Sequence, residues 1–374
     1  MLLVRLFCIS LRGMRRSFMR SFSVIKVLIV DDSSFMRRAL SSMLSRTTDI
    51  QVVGTAIDGL DALKKAKELD PDVMTMDVEM PRMDGLTTVQ QIMKSAPCPI
   101  IMVSSLTEEG AETTLKALEY GALDFIPKNM GGTPEAFCDE LVKKIRAVAR
   151  KKALLRLRYS RINHPLTSLR ESPAPQPAFT PCRGQRDLVA IGVSTGGPPA
   201  VQKILSQLPA NFPACILIAQ HMPATFTGPF AKRLDAVSKL TVTEAADGDK
   251  LRAGCAYVCP GGKHMRVVKH GALPEISISP DPQDALYKPS VTVLMESVGQ
   301  LMGRRALGVM LTGMGSDGCE GAKILAAKGG YMLAQNETSC VVYGMPKAVV
   351  DAGIVNHVVD IDQMAEAIAT AVRG

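Results

Sequence analysis

The chain has 374 residues, of which 47% are hydrophobic. A chain of this length is longer than a domain with a single hydrophobic core, so we expect two domains of roughly 150 residues each. The net charge of +8 does not indicate nucleic-acid binding, because residues 1–22 hold five arginines and no acid, and residues 143–186 hold twelve lysines and arginines against Glu171 alone. The rest of the chain is net acidic, so the basic charge belongs to a leader and a connector.

The nine cysteines are scattered without the spacing of a disulfide framework, which indicates reduced thiols in a cytoplasmic enzyme. Cys255, Cys259 and His264 could be taken for a metal cluster, but no second pair completes a tetrahedral site. We therefore expect no metal at these three residues.

Residues 1–22 are apolar and then rich in arginine. Arg5 interrupts the apolar run, which is also too short to cross a membrane, so neither secretion nor membrane insertion is expected. A transit peptide would look similar. We favour a disordered extension or a start codon placed too far upstream, with Met14 or Met19 as the true beginning.

From residue 24 onward, apolar runs alternate with amphipathic stretches. The runs read VIKVLIV, IQVVGTA, VMTMD, PIIMVSS and LDFIP, and helical patterns such as DGLDALKKAKEL separate them. Near-continuous apolar strands interleaved with helices predict a parallel sheet that is covered on both faces.

Polar side chains follow these runs at the carboxyl ends of the predicted strands. They are Asp31 and Asp32 after the first run, Asp77 at the end of the third, Ser104 at the end of the fourth and Lys128 after the fifth. Three carboxylates that converge at one edge usually bind a hard cation such as Mg²⁺, and a lysine and a hydroxyl beside them suit a phosphorylated aspartate. Each residue has a simpler alternative as a helix cap, a strand end or a surface charge, but the five together favour a site.

A last helix of this domain is predicted to begin at Thr133 and Pro134. Its apolar positions recur at helical spacing: Phe137, Leu141, Ile145 and Val148. The proline-rich stretch that follows cannot build a core and predicts a linker. The predicted organisation is an extension at 1–22, a first domain at 23–147, a basic, proline-rich linker at 148–186 and a second domain at 187–374.

The second domain repeats the pattern of strand and then helix, which predicts a doubly wound, mainly parallel α/β fold. Ser194, His221 and Asp317 each follow an apolar strand, so we expect them to meet at one edge of the sheet. A serine hydroxyl is a poor nucleophile until an imidazole takes its proton and a carboxylate fixes that imidazole's tautomer. The sequence therefore predicts a Ser-His-Asp triad.

Residues 192–196 match the G-x-S-x-G turn that exposes a nucleophilic serine. A phosphate-binding loop is the weaker alternative, because neither G-x-G-x-x-G nor a G-K-[ST] ending is present. His221 could instead be a buried core histidine, and Asp317 lies in a sequence where aspartate is common in turns. The shared placement after strands favours catalysis over those alternatives.

The segments VLIVDDSSFMR, MDVEMPRMDGL, IIMVSS and ALDFIPK resemble the receiver domain of bacterial two-component response regulators. The resemblance implies a flavodoxin-like, five-stranded parallel sheet with Asp77 as the phosphoacceptor. It also implies that Asp31, Asp32 and Asp77 hold Mg²⁺, that Ser104 and Phe125 are the switch residues and that Lys128 binds the phosphoryl group. Asn129 departs from the family, which commonly has proline there.

The segments IGVSTGGPPA, QHMPATFTGPFAKRLD, PGGKHM, YKPSVTVLMESV, LTGMGSDG and CVVYGMPKAV resemble the catalytic domain of the chemotaxis protein-glutamate methylesterase (CheB) family. The resemblance implies hydrolysis of γ-glutamyl methyl esters on chemoreceptors and deamidation of particular glutamines, with no cofactor for the ester chemistry. It implies Ser194 as nucleophile, His221 as base and Asp317 as its orienting acid. Backbone amides near Met314 and Thr195 are candidate oxyanion donors.

The order of domains also matches that family, in which a chemotaxis histidine kinase is the phosphodonor. We expect the receiver to cover the active site until phosphorylation shifts the equilibrium between the domains. Two alternatives remain at this point, a transcriptional regulator and an idle receptor-binding scaffold. The first would need a helix-turn-helix and a basic face, and residues 187–374 have neither pattern.

Overall fold

The computed structural model describes residues 24–128, 133–163, 184–271 and 273–374. The predicted extension at 1–22, residues 164–183 of the predicted linker and Asn129 lie outside the described residues. Two separate parallel sheets form, one in each predicted domain.

The first domain is a five-stranded parallel sheet with the order β2-β1-β3-β4-β5. Its strands are β1 Ile25–Val30, β2 Ile50–Ala56, β3 Val73–Asp77, β4 Ile100–Ser104 and β5 Asp124–Pro127. Its helices are α1 Ser34–Leu44, α2 Gly59–Leu69, α3 Gly85–Ser95, α4 Glu108–Glu119 and α5 Pro134–Ala149. The predicted flavodoxin-like receiver fold with a five-stranded parallel sheet is confirmed.

The last helix of this domain begins where the sequence predicts. The hydroxyl of Thr133 accepts a hydrogen bond from the Ala136 N–H, and Pro134 occupies the first turn, where its missing N–H costs nothing. The four predicted apolar positions are buried against α1 and the sheet. Val148, the last of them, is still packed in the core, and the helix ends one residue later at Ala149.

A further helix, α6 Lys152–Asn163, lies in the segment predicted as a linker. Its basic side chains bind the acids at the end of α2: Lys152 lies 3.0 Å from both Asp70 and Asp72, and Arg156 pairs with Asp70. Part of the basic charge assigned to the connector is thus neutralised by the first domain. The domain boundaries themselves stay predictions.

The second domain is a seven-stranded parallel sheet with the order β14-β13-β12-β6-β7-β9-β8 and a separate antiparallel hairpin, β10-β11. Its strands are β6 Leu188–Val193, β7 Cys215–Gln220, β8 Thr241–Glu244, β9 Cys255–Val258, β10 His264–His270, β11 Leu273–Ser279, β12 Ala306–Met310, β13 Tyr331–Gln335 and β14 His357–Val359. Its helices are α7 Gly197–Gln207, α8 Ala224–Val237, α9 Val291–Met302, α10 Cys319–Ala327, α11 Met345–Asp351 and α12 Met364–Arg373. A single 3₁₀ turn at Gly303–Arg305 follows α9.

Strand β6 lies between β12 and β7 at the centre of the second sheet. Val193 is in register with Gln220, and Gly192 is in register with Met310. Because all three strands are parallel, the residues that follow them emerge side by side at one edge. The fold therefore brings together chain segments that are more than 25 residues apart.

The two domains pack directly on each other. Helix α4 of the first domain lies against α8 of the second, and the ring of Phe125 stacks on Phe226 with centroids 4.4 Å apart. Both rings are buried, and the apolar core is continuous across the contact.

Candidate functional site

Ser194 lies on the turn between β6 and α7. Its N–H donates to the carbonyl of Thr312 at 3.0 Å, and the chain turns into the helix at Gly196, which has a φ of 74°. A Cβ at Gly196 would lie 2.4 Å from the side chain of Val341, so the turn needs glycine for its space as well as for its conformation. The predicted G-x-S-x-G turn forms, with the left-handed residue at Gly196.

His221 directly follows β7 and faces Ser194. Its Nδ1 lies 3.2 Å from Oγ of Ser194, and its Nε2 lies 2.8 Å from Oδ2 of Asp317. The ring also stacks on Tyr287, with centroids 4.2 Å apart and 13° between the planes. The structure thus brings the three expected residues together and adds a fourth, Tyr287, that the sequence analysis missed.

Asp317 lies at the N-terminus of α9. Its Oδ1 accepts from the hydroxyl of Ser290 at 3.0 Å and from the N–H and hydroxyl of Thr292 at 3.1 and 2.7 Å, and its Oδ2 accepts from the N–H of Val291 at 2.7 Å. Burial raises the pKa of Asp317, but the hydrogen bonds from His221, Thr292 and Val291 outweigh it and hold the pKa well below its ordinary value. The carboxylate is therefore charged at neutral pH.

His264 supports the same helix N-terminus from the other side. The imidazole is buried, its Nδ1 accepts from the N–H of Ser290 at 3.1 Å, and its Nε2 lies 3.2 Å from the carbonyl of Pro282. Burial lowers the pKa of His264. The imidazole that the sequence analysis weighed as a metal ligand thus receives a backbone N–H next to Asp317.

The candidate oxyanion donors are the N–H of Thr195, which follows Ser194, and the N–H of Met314, which follows Gly313. Among the residues that the structure describes, neither N–H donates to a protein acceptor. The rest of Thr195 is fixed, since its carbonyl accepts from the hydroxyl of Thr312 at 2.9 Å and its own hydroxyl donates to Asp124 at 2.8 Å. Thr195 directly follows the candidate nucleophile, and Met314 follows Gly313, where an added Cβ would lie 2.8 Å from Cβ of Ser194.

Asp31, Asp32 and Asp77 converge at the carboxyl edge of the first sheet, where one oxygen from each lies within 4.8 Å of the others. Nζ of Lys128 lies 2.6 Å from Oδ2 of Asp77 and 3.1 Å from Oδ2 of Asp31. That oxygen of Asp31 is buried, and within the described residues it accepts no hydrogen bond of good geometry. Burial and the charge of Asp31 raise the pKa of Asp77 to about 6, although Lys128 opposes this. A cluster of hard oxygen ligands, in which the buried Oδ2 of Asp31 is paired only with Lys128 among the described residues, fits Mg²⁺.

Among the described residues, the hydrogen bonds of Ser104 and the ring contact of Phe125, the two expected switch residues, are made with groups other than these carboxylates. The hydroxyl of Ser104 donates to the carbonyl of Ser105 at 3.0 Å and accepts from the hydroxyl of Thr114 at 2.8 Å, on the side of α4. Phe125 points to the second domain, where it stacks on Phe226. The expected receiver residues therefore divide into a carboxylate–lysine cluster and a pair that faces α4 and the domain contact.

Polar contacts tie the first domain to the turn that carries Ser194. Oδ2 of Asp124 accepts from the hydroxyl of Thr195 and also pairs with Lys144 of α5. At the edge of the contact, Glu119 of α4 pairs with Arg233 of α8. The residue that follows the candidate nucleophile is thus hydrogen-bonded to the receiver strand β5.

Sequence reasoning missed four residues of this site: Gln220, Tyr287, Ser290 and Thr292. They lie in segments that carry the family resemblance, but a side chain's direction cannot be read from such segments. Ser290 carries the one usable local signal, since a serine just before a helical pattern is a preferred N-cap, and its hydroxyl does accept from the N–H of Val293.

No helix of the described residues is both long and apolar enough to cross a membrane.

Comparison with known proteins defines the class as a receiver domain joined to an ester hydrolase. The response regulator receiver domain family matches residues 27–140, and the CheB methylesterase family matches residues 189–368. The chain is 54% identical to "Protein-glutamate methylesterase/protein-glutamine glutaminase" of Lawsonia intracellularis, with 92% of this chain and 99% of that protein covered. A second relative with that name, from Nitratidesulfovibrio vulgaris, is 56% identical over 92% of this chain and 98% of its own length.

A solved structure, the CheB methylesterase catalytic domain of Thermotoga maritima, is 35% identical, covers 50% of this chain and 98% of its own, and has a TM-score of 0.48. The chain belongs to the family of protein-glutamate methylesterases/protein-glutamine glutaminases. It is an enzyme of that class.

Proposed function

We propose that this enzyme demethylates γ-glutamyl methyl esters on methyl-accepting chemoreceptors, and deamidates specific glutamines there, through an acyl-enzyme on Ser194 that phosphorylation of Asp77 controls. The observation that carries the proposal is the contact of Ser194 Oγ with Nδ1 of His221, whose Nε2 binds Asp317. Membership of the family supports the substrate class and the role in chemotactic adaptation.

The carboxylate of Asp317 determines which imidazole nitrogen can accept a proton. A permanently charged carboxylate at 2.8 Å favours a proton on Nε2 of His221, which leaves the lone pair of Nδ1 directed at Oγ of Ser194. Nδ1 then takes the hydroxyl proton as Oγ attacks the side-chain carbonyl carbon. The N–H groups of Thr195 and Met314 would stabilise the resulting oxyanion, a contribution of roughly 3 kcal/mol per donor in other hydrolases.

The tetrahedral intermediate then collapses with cleavage of the carbon–oxygen bond to methanol, or of the carbon–nitrogen bond to ammonia, and the leaving group takes the proton from Nδ1. Water attacks the acyl-enzyme, gives its proton to His221 and restores Ser194. Ester or glutamine plus water thus gives glutamate plus methanol or ammonia. His221 acts as base and as acid in turn.

Phosphorylation is assigned to the first domain. Asp31, Asp32 and Asp77 would hold Mg²⁺, which would neutralise phosphoryl oxygens when it is bound. Lys128 is already paired with Asp77 and would hold the phosphoryl group once Asp77 carries it as an acyl phosphate. A chemotaxis histidine kinase would be the phosphodonor.

The contact between the domains supports control of the active site by the receiver. Thr195 is 2% exposed and hydrogen-bonded to Asp124, so a large receptor helix would have to displace the first domain to reach Ser194. Ser104 and Phe125 connect the phosphorylation edge with this contact through α4 and Phe226. Phosphorylation would shift the domains towards the open arrangement.

The test measures methanol released from methylated receptor membranes, with and without a small phosphodonor and Mg²⁺. We expect the phosphodonor to raise the rate of the wild type, Asp77→Asn to remove that rise, and Ser194→Ala to lower the rate about a million-fold without loss of the fold. Near-normal methanol release by Ser194→Ala would refute the acyl-enzyme. If the phosphodonor raised the rate of Asp77→Asn as much as that of the wild type, control by phosphorylation of Asp77 would be refuted, but the acyl-enzyme would not.

A further inference from the structure

Gln220 joins the two turns that carry Ser194 and His221. It is the last residue of β7, its side chain is buried, and its Nε2 donates to the carbonyl of Ser194 at 3.0 Å and to the carbonyl of His221 at 3.1 Å. A single amide nitrogen thus bridges the backbones of the candidate nucleophile and the candidate base.

The bridge also determines which way the next N–H points. The carbonyl of Ser194 is held from two sides, by Nε2 of Gln220 and by the N–H of Gly197 at 2.8 Å. Because a peptide unit is planar and trans, the N–H of Thr195 must point away from that carbonyl. The bond from Gln220 therefore helps to fix the direction of the Thr195 N–H, a candidate oxyanion donor that has no acceptor among the described residues.

The other end of the amide shows that this arrangement has a cost. Oε1 of Gln220 is buried and accepts no hydrogen bond from the residues that the structure describes, and an orphaned buried acceptor is destabilising. It lies above Gly197, where an added Cβ would approach it to 2.1 Å. A glycine therefore lies beside the side-chain amide of Gln220. Both N–H donors of that amide are used, whereas its oxygen has no partner among the described residues.

We propose that Gln220 is a positioning residue for the reaction: its Nε2 holds the Ser194 and His221 turns in register and directs the Thr195 N–H. This proposal rests on the proposed function, because it takes Ser194 to be the nucleophile. A glutamine that only stabilised the fold would change the amount of folded protein, whereas a positioning residue changes the rate of the folded enzyme. Loss of a positioning contact near the reacting atoms typically costs up to about 100-fold in rate.

The experiment compares the full-length wild type with Gln220→Met, which has a similar length but no donor. Both are activated with a small phosphodonor and Mg²⁺ and assayed for methanol release from methylated receptor membranes. We expect kcat to fall about 10- to 100-fold with KM within about two-fold of the wild type. The rate at which a fluorophosphonate labels Ser194, measured by intact mass, should fall in parallel.

Ser297→Ala is the matched control for stability. The hydroxyl of Ser297 on α9 is also buried; it accepts from the N–H of Val267 at 3.1 Å and donates to the carbonyl of Leu294 at 2.9 Å, and neither partner is one of the three reacting residues. We expect its melting temperature to fall as much as that of Gln220→Met while kcat and labelling stay unchanged. Gln220→Glu, which keeps the shape and removes the NH₂ group, is the second variant.

The outcomes separate the two proposals. If folded Gln220→Met and Gln220→Glu keep kcat and labelling within about two-fold of the wild type, Gln220 does not position the site. If neither Gln220→Met nor Gln220→Glu folds while Ser297→Ala does, the positioning role also fails, since Gln220 is then a structural residue. If Ser194→Ala keeps its activity in these assays, the acyl-enzyme itself fails, whatever the Gln220 variants do.

Discussion

Ser290 is the residue at which two buried groups of the second domain meet. Its N–H donates to Nδ1 of His264, and its hydroxyl donates to the carboxylate of Asp317. His264 must be neutral to accept that N–H, whereas Asp317 must be charged to accept its four protein donors besides His221. The N-terminus of α9 therefore binds two groups with opposite requirements: the imidazole of His264, which must stay unprotonated at Nδ1, and the carboxylate of Asp317, which must stay negatively charged.

This arrangement predicts how stability depends on pH at the residue scale. Burial lowers the pKa of His264, with Arg266 and Lys288 acting in the same direction and Asp317 and the carbonyl of Pro282 opposing them. The unfolded chain takes up this proton near the ordinary pKa of 6.5, whereas the folded chain does so only at lower pH. The stability that depends on neutral His264 is thus complete above pH 6.5 and is lost as the pH falls below it.

The measurement is the free energy of unfolding between pH 7.5 and pH 5, by urea titration. We expect His264→Gln to lose part of the acid-side decrease of the wild type, which is at most about 1.4 kcal/mol per pH unit for one proton. His270→Gln, at an exposed histidine, should keep the profile of the wild type. Identical pH profiles for wild type and His264→Gln would contradict this account.

At the scale of elements, helices α9 and α10 pack at a glycine contact. A Cβ at Gly299 would lie 2.6 Å from Cα of Leu325, and a Cβ at Gly321 would lie 2.3 Å from the carbonyl of Thr292. These glycines let the backbones approach closely. The close approach brings the N-terminus of α9 beside the turn that carries Asp317, so helix packing determines where the carboxylate lies.

We therefore expect Gly299→Ala to lower the free energy of unfolding by about 1–3 kcal/mol, because its new methyl group meets backbone that cannot move aside. Gly228→Ala in α8 is the control, since its nearest neighbour would be the end of the Glu244 side chain at an ordinary 3.7 Å. That variant should be neutral or more stable, because alanine is the better helix former. Equal destabilisation of both variants in thermal unfolding would show that close packing is not the cause.

At the scale of the whole molecule, the contact between the domains links the two sites. It includes the stack of Phe125 on Phe226, the hydrogen bond of Thr195 to Asp124 and the ion pair of Glu119 with Arg233. The ion pair lies at the edge of the contact and touches none of the proposed catalytic residues. It can therefore be removed without altering the chemistry.

We expect Arg233→Ala to raise the methanol release of the unphosphorylated enzyme about five-fold, because a loss of about 1 kcal/mol from the closed arrangement increases the open fraction by that factor. The rate of the phosphorylated enzyme should change little. Lys323→Ala, which removes a surface pair with Glu320 in α10, is the control. An unchanged basal rate in Arg233→Ala would argue against control by this contact.

The sequence by itself determined the two folds and which residues reach the edges of the sheets. Apolar runs of strand length fix β1 to β7, and the residues that follow parallel strands must emerge at the same edge, which is why Asp77 and Ser194 could be named from their positions alone. The start of α5 at Thr133 and Pro134 followed from local capping chemistry. These features depend on residues that are close in the chain.

Only the tertiary structure decided which atoms meet. The sequence could not tell that Nδ1 of His221 faces Ser194, that Tyr287 stacks on its ring, that Gln220 bridges the two turns, or that Thr195 binds Asp124 of the other domain. Each of these contacts joins segments whose distance depends on how strands and helices pack, and a side chain's direction is set by those neighbours. Periodicity fixes a residue's place along an element, whereas packing fixes its partner.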